Sequence, residues 1–155
     1  MIIPDVNLLL YAYDEASPSH GPAVTWLQQC MRGDDPVGLT KVVIFGFLRV
    51  GTSPRVFNHP MTVAEAAGHI RGWLEQPAVR MLESTPRHVD LVLGLLEQAG
   101  TAANLVTDAQ IAAAAIEHNG IVHTTDADFV RFPDVRWFNP LTRAASRAVQ
   151  RPSTR

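Results

Sequence analysis

A chain of 155 residues favours one domain with a core of its own, and 46% hydrophobic against 18% charged residues exclude an intrinsically disordered chain. No apolar run approaches the roughly 18–20 residues of a membrane span, the N-terminus carries no signal-peptide pattern, and the single cysteine, Cys30, excludes an internal disulfide or multi-cysteine zinc site; these features favour a cytoplasmic setting. Net charge is −2, so the bulk charge announces no polyanionic partner, yet from residue 131 onward six arginines face a single acid, Asp134.

The chain opens MIIPDVNLLLYA, read as a short buried strand over residues 1–5 that hands over to a helical turn from Asn7 to Tyr13. Residues 22–32 carry Val24, Leu27 and Met31 at helical spacing, GDDP at 33–36 is a turn, and VGLT at 37–40 is a strand. VVIFGFLRV at 42–50 reads as a helix packed into the core, and residues 51–61, with Gly51, Pro54 and Pro60, read as a loop. Thr62 and Glu65 form a capping-box pattern for a helix that ends near Gln76-Pro77. Residues 79–82 follow as a strand, then a helix with Pro86 as its first residue, running to Gln98 before Gly100. DAQIAAAAIEH, from Asp108 to His118, is the clearest helix, stopped by Asn119-Gly120. IVHTT is a strand, DADFVRF a short helical turn, VRWF at 135–138 a last strand, and Pro140 closes the domain.

Strands alternate with helices, so the fold class is α/β, with a largely parallel sheet flanked by helices. The domain spans residues 1–141; residues 142–155 form a basic tail, read either as a flexible, solvated end or as a phosphate-contacting one.

Ligands of such sheets sit at the carboxyl ends of the strands. Asp5 and Asp126 each follow a strand, Asp128 lies two residues beyond Asp126, and Asp108 starts a helix that can face the same crevice. Each has a plainer role available: Asp5 and Asp108 as helix caps, Asp126 and Asp128 as turn residues. Together they make a cluster whose repulsion a hard divalent cation relieves, and Asn7, Thr124 and Thr125 add oxygen at the same strand ends.

These motifs, D-x-N after the first strand, V-T-D-A-x-I-A-A-x-A near residue 110 and T-x-D-x-D-F near residue 126, resemble the PIN-domain ribonucleases and, more closely, the VapC toxins of VapBC toxin–antitoxin pairs. The resemblance covers residues 1 to about 141. It implies a PIN-like three-layer sandwich and a Mg²⁺-dependent endonuclease acting on RNA, with Mn²⁺ as a substitute. It also implies a homodimer and a VapB-type antitoxin that neutralises the toxin. Carried over by position, Asp5 and Asp108 match the principal metal ligands, Asp126 the other family acid, and Asn7 and Asp128 its supporting polar residues; Thr124 stands beside them. One departure is clear: Gly46 stands where the family places a glutamate, and no acid lies between Asp35 and Glu65. Arg49, near that position, is a candidate phosphate contact or a partner for a cluster acid.

Two other readings compete. An aspartyl-phosphate phosphatase would want an acid at position 7 and a well-placed lysine, whereas the chain has Asn7 and a single lysine, Lys41. A PIN-like module that has lost its glutamate would only bind RNA or a partner. SPSH at 17–20 lacks the context of a nucleophile elbow, and no H-x-x-x-H pair supports a zinc protease.

Overall fold

The computed structural model describes residues 1–150. Five short parallel strands form one sheet: β1 (Ile2–Pro4), β2 (Val37–Leu39), β3 (Val79–Met81), β4 (Ile121–His123) and β5 (Trp137–Phe138), ordered β3-β2-β1-β4-β5. Ile3, Val37, Leu39 and Val122 are wholly buried, as strands covered on both faces require. In register, Ile2 faces Val37 on one side and Ile121 on the other, and Pro4 faces His123.

The helices are α1 (Val6–Tyr11), α2 (His20–Arg32), α3 (Lys41–Gly51), α4 (Val63–Leu74), α5 (His88–Ala99), α6 (Leu105–Glu117) and the short α7 (Arg147–Gln150), with a 3-10 turn at Ala127–Arg131. The strand order steps one way from β1 to β3 and then reverses to β4. Right-handed crossovers therefore lay α1 to α4 on one face and α5 and α6 on the other, giving three layers. The reversal falls between β1 and β4, and a crevice opens at the carboxyl ends of those two strands.

Local signals explain most element boundaries. Thr62 and Glu65 form the reciprocal capping box that starts α4, and Gly100 ends α5 with a left-handed φ of 71°. Asn119, at φ 50°, turns the chain out of α6, a conformation asparagine tolerates. Several boundaries differ from the sequence reading: α1 ends at Tyr11 rather than Tyr13, β4 covers only Ile121–His123 and β5 only Trp137–Phe138, and two helix starts also move. Pro86 lies in the turn before α5, which begins at His88. Helix α6 begins at Leu105 rather than Asp108, because Leu105 is buried and draws the preceding turn into the core. Helix α6 is apolar nearly all round, with Ala109, Ile111, Ala112 and Ala113 fully buried, as suits a helix held against both the sheet and α5.

Past Pro140 the chain turns back onto the sheet edge. Asn139 N–H donates to Ala144 O at 2.7 Å, Ser146 N–H to Trp137 O at 2.9 Å, and Ala145 bridges Phe138 in antiparallel fashion. Arg143 lies over the Phe138 ring, 5.6 Å from its centroid. The first part of the tail thus lies against β5, while Arg151 and Arg155 fall outside the described residues. No described helix is long and apolar enough to cross a membrane.

Candidate metal centre

The crevice holds a cleft of about 640 Å³, lined by Asp5, Asn7, Asp108, Asp126 and Asp128 together with Lys41, Phe45, Gly46 and Arg49 of α3. All four acids that the sequence singles out line this cleft. Thr124 stands behind them.

Asp5 comes off the end of β1, where its N–H still donates to His123 O at 2.9 Å. That bond extends the ladder by one residue and fixes the carboxylate at the strand end. Its side chain is 3% exposed; it accepts from the Val6 N–H at 2.6 Å and from the Thr124 hydroxyl at 2.7 Å. So the capping role is real, and it leaves the carboxylate facing the cleft. Burial raises the Asp5 pKa above the ordinary carboxylate value; the Thr124 and Val6 donors pull it back, and Asp126 pushes it further up.

Thr124 joins the two strand ends. Its hydroxyl donates to Asp5 while accepting the Asp126 N–H at 2.8 Å. Asp126 in turn caps the 3-10 turn, taking the Asp128 N–H at 2.8 Å, and Asp128 meets Arg131 at 3.4 Å on the surface. The turn readings of Asp126 and Asp128 are therefore also correct, and they set these carboxylates side by side.

Asp108 differs from the others. It sits in the first turn of α6 and caps nothing, since Asn104 holds the cap position. Its carboxyl is pushed up to about 7 by burial first and then by the negative charges of Asp5, Asp126 and Asp128. One oxygen from each of Asp108, Asp126 and Asp128 lies within 4.8 Å of the others; Asp5 lines the same cleft but is not one of that trio. A trio of carboxylate oxygens so close fits a hard divalent cation, and no basic side chain is paired with Asp108 or Asp126 among the described residues.

Gly46 has a packing reason. A Cβ there would lie 2.8 Å from Cγ2 of Val6, so the glycine lets α1 and α3 approach. Arg49 lines the cleft and makes no ion pair among the described residues. Sequence reasoning missed the rest of that wall. Lys41, Phe45 and Arg49 recur at four-residue spacing, which places them on one side of α3, and that spacing was the available signal.

A second hollow, of about 450 Å³, runs along α2 beneath Trp26, His123 and Phe138 and contains none of the sequence candidates. There Trp26 Nε1–H donates to His123 Nδ1 at 3.0 Å, and burial pulls the His123 pKa down to about 4. Trp26 and Trp73 are core anchors, as expected of tryptophan.

Comparison with known proteins agrees with this architecture. The family profile for the PIN domain matches residues 2–135. The chain is 48% identical over 141 residues to Ribonuclease VapC33 of Mycobacterium tuberculosis, covering 91% of this chain and 99% of that one. It is 39% identical to Ribonuclease VapC37 of the same species, covering 90% and 97%. Among solved structures, VapBC2 from Rickettsia felis bound to a promoter DNA fragment superposes with a TM-score of 0.64 at 19% identity, over 90% of this chain and 98% of that one. VapC20 of M. tuberculosis, described as a Sarcin-Ricin loop cleaving toxin, does so with a TM-score of 0.60 at 19% identity, over 84% and 93%.

Proposed function

The chain belongs to the PIN-domain family, among its VapC ribonucleases, and from that premise we propose that its acidic cleft cuts RNA with a divalent cation, Mg²⁺ or in its place Mn²⁺. The observation that carries the ion is the oxygen trio of Asp108, Asp126 and Asp128 within 4.8 Å, with the Asp108 carboxyl pushed up to about 7 by burial first and then by the neighbouring acids. Asp5, Asp108 and Asp126 would hold the ion, directly or through water, and Asp128, whose oxygen completes the trio, would support them. When bound, the ion lowers the pKa of water and offsets charge on the phosphate.

The protein's own groups do the rest. Thr124 holds the Asp5 carboxylate and the Asp126 backbone in one geometry, and the Asp128 N–H holds the Asp126 carboxylate, so that neither acid swings away when the phosphate enters. Asn7, on the cleft wall beside Asp5, orients water or a carboxylate oxygen. Arg49 faces the entering phosphate from α3. Water attacks phosphorus, the bond to the 3′ oxygen breaks, and the products carry a 3′-hydroxyl and a 5′-phosphate.

The partner side of the proposal is a VapB-type antitoxin whose basic side chain enters the same cleft, since a guanidinium satisfies carboxylates much as a cation does. The VapBC complexes among the structural relatives support the antitoxin as a partner. The proposal includes a homodimer, and exposed Val89 and Leu93 on α5 offer apolar surface for it.

The test is cleavage of RNA by the free protein in Mg²⁺, in Mn²⁺ and in EDTA, alongside Asp108→Asn. Cleavage that survives EDTA, or a folded Asp108→Asn protein at full rate, would sink the metal assignment.

A further inference from the structure

Helix α3 carries an exposed aromatic ring directly on the wall of the cleft. Phe45 is 62% exposed, while its neighbours Val43, Ile44 and Phe47 are buried, so the ring takes no part in the core. It makes no ring contact with another aromatic among the described residues. Other large apolar side chains are also exposed, such as Val56, Val63 and Val130, but Phe45 is the one among them that lines the cleft.

Its flanks are cationic. Lys41 lies one helical turn before Phe45 and Arg49 one turn after, and all three line the cleft that holds the acids. At 1.5 Å per residue the two cations stand about 12 Å apart along the helix, with the ring between them. Arg49 makes no ion pair among the described residues. Lys41 is paired with Glu83 at 2.8 Å, but both side chains are well exposed, 63% and 72%, so that pair is worth little and yields readily to a phosphate. Cation, aromatic face, cation along one wall is the arrangement by which proteins hold an unpaired strand. The backbone follows the charges and a base lies on the ring.

We propose that Phe45 is a stacking platform for an unpaired base next to the scissile phosphate, and that Lys41 and Arg49 hold the phosphates on either side of it. This rests on the reading of the cleft as the ribonuclease site and adds to it the α3 side chains that grip the strand beside the cut. A base within a duplex keeps its faces against its neighbours and offers none to Phe45.

The test uses the full chain carrying Asp108→Asn, a short mixed-sequence single-stranded RNA, and the same RNA annealed to its complement, with binding read by fluorescence anisotropy in Mg²⁺. Phe45→Ala and Phe45→Leu should each weaken binding of the single strand by about five- to a hundredfold, the loss expected for one stacked base. Phe45→Trp should bind as the parent does, and its added indole emission should be quenched by RNA. The duplex should bind weakly and without regard to residue 45. Lys41→Ala and Arg49→Ala should each lower the salt slope by about 0.7, whereas the Phe45 variants should leave it unchanged. Because Phe45 is exposed, these variants keep the fold. If Phe45→Leu binds the single strand as tightly as phenylalanine, the platform is overturned. If Phe45→Ala spares RNA binding but abolishes capture of the antitoxin, the ring is a protein-docking residue and the proposal also fails. Failure of the unsubstituted protein to cleave the same RNA in Mg²⁺ or Mn²⁺ would instead overturn the reading of the cleft itself.

Discussion

Helix α6 carries a carboxylate near each end, and their surroundings are opposite. Glu117, at the C-terminal end, accepts from the N–H and hydroxyl of Thr85 and meets His88 Nδ1 at 2.7 Å. Burial tends to raise its pKa, but the Thr85 and His88 contacts outweigh this and hold it below the ordinary glutamate value. Asp108, near the N-terminal end, receives no such donors; burial and three neighbouring acids push it up to about 7. An acid ringed by donors is satisfied by the fold and ties the start of α5 to α6. An acid ringed by acids is satisfied only by something the fold does not contain. The same residue class on one helix thus serves structure at one end and, in the function proposed above, a cation at the other.

The sharpest way to break that contrast is substitution by the neutral isostere at each end. Asp108→Asn should lower RNA cleavage more than about a hundredfold, beyond what loss of a supporting contact costs, and should remove divalent-ion affinity while the protein stays folded. Asp5→Asn should behave alike. Glu117→Gln should leave the rate near that of the parent and cost about 1 kcal/mol of stability through weakened hydrogen bonds. Rates and denaturant midpoints for the variants decide it; a Glu117→Gln protein as dead as Asp108→Asn would end the distinction.

The next effect concerns how the acidic end is held. Thr124→Val keeps the shape but removes the hydroxyl between Asp5 and the Asp126 backbone, and should cost about 10- to 100-fold in activity or metal affinity. Metal titration by calorimetry, with rates on the same preparation, would show whether the loss tracks the ion.

Gly46 sharpens the contrast from α3. A side chain there would press on Val6, so Gly46→Glu should cost about 1–3 kcal/mol by overpacking before it can offer any ligand. Val6→Ala in the same chain should recover part of that loss in thermal unfolding. If Gly46→Glu is neutral alone and strengthens binding of a second ion, the close approach of α1 and α3 is not what fixes the glycine.

The two ends should also respond to pH with opposite sign. A carboxyl raised from 3.8 to about 7 binds its proton more tightly in the folded state, so the metal-free protein should lose stability as pH rises through that window. Divalent ions should reverse the loss, and Asp108→Asn should flatten it. Glu117, held below its usual 4.5, contributes stability that is present above that value and lost as pH falls through its lowered pKa. Melting temperatures across pH, with EDTA and with Mg²⁺, separate the two. The smallest effect is expected at the exposed pair: Glu83→Gln should change stability by less than about 1 kcal/mol, read in denaturant unfolding.

The basic tail calls for substitution rather than removal. Cutting at residue 142 would also take away the segment that pairs with β5, so Arg143→Gln and Arg147→Gln are the cleaner probes of phosphate contact.

The sequence by itself determined the alternation of strands and helices, because apolar runs, caps and turn residues are local signals. It was enough for the capping box at Thr62 and Glu65, for the stop at Asn119-Gly120, and for placing Asp5 and Asp126 at strand ends. The family motifs, read together, brought the four acids to one cleft. Sequence did not separate capping from ligation at Asp5 or turn-making from ligation at Asp126, since in the folded chain these side chains serve the backbone and face the cleft at once. Tertiary structure alone decided the rest. It moved the start of α6 back to Leu105, because burial of that residue outweighs the cap preference of Asp108. It gave Gly46 its reason, the approach of Val6 from a helix 40 residues earlier in the chain. It also brought Lys41, Phe45 and Arg49 to the cleft that holds the acids, an arrangement that depends on which face of α3 is buried. Spacing shows which residues share a side of a helix; only packing shows what that side meets.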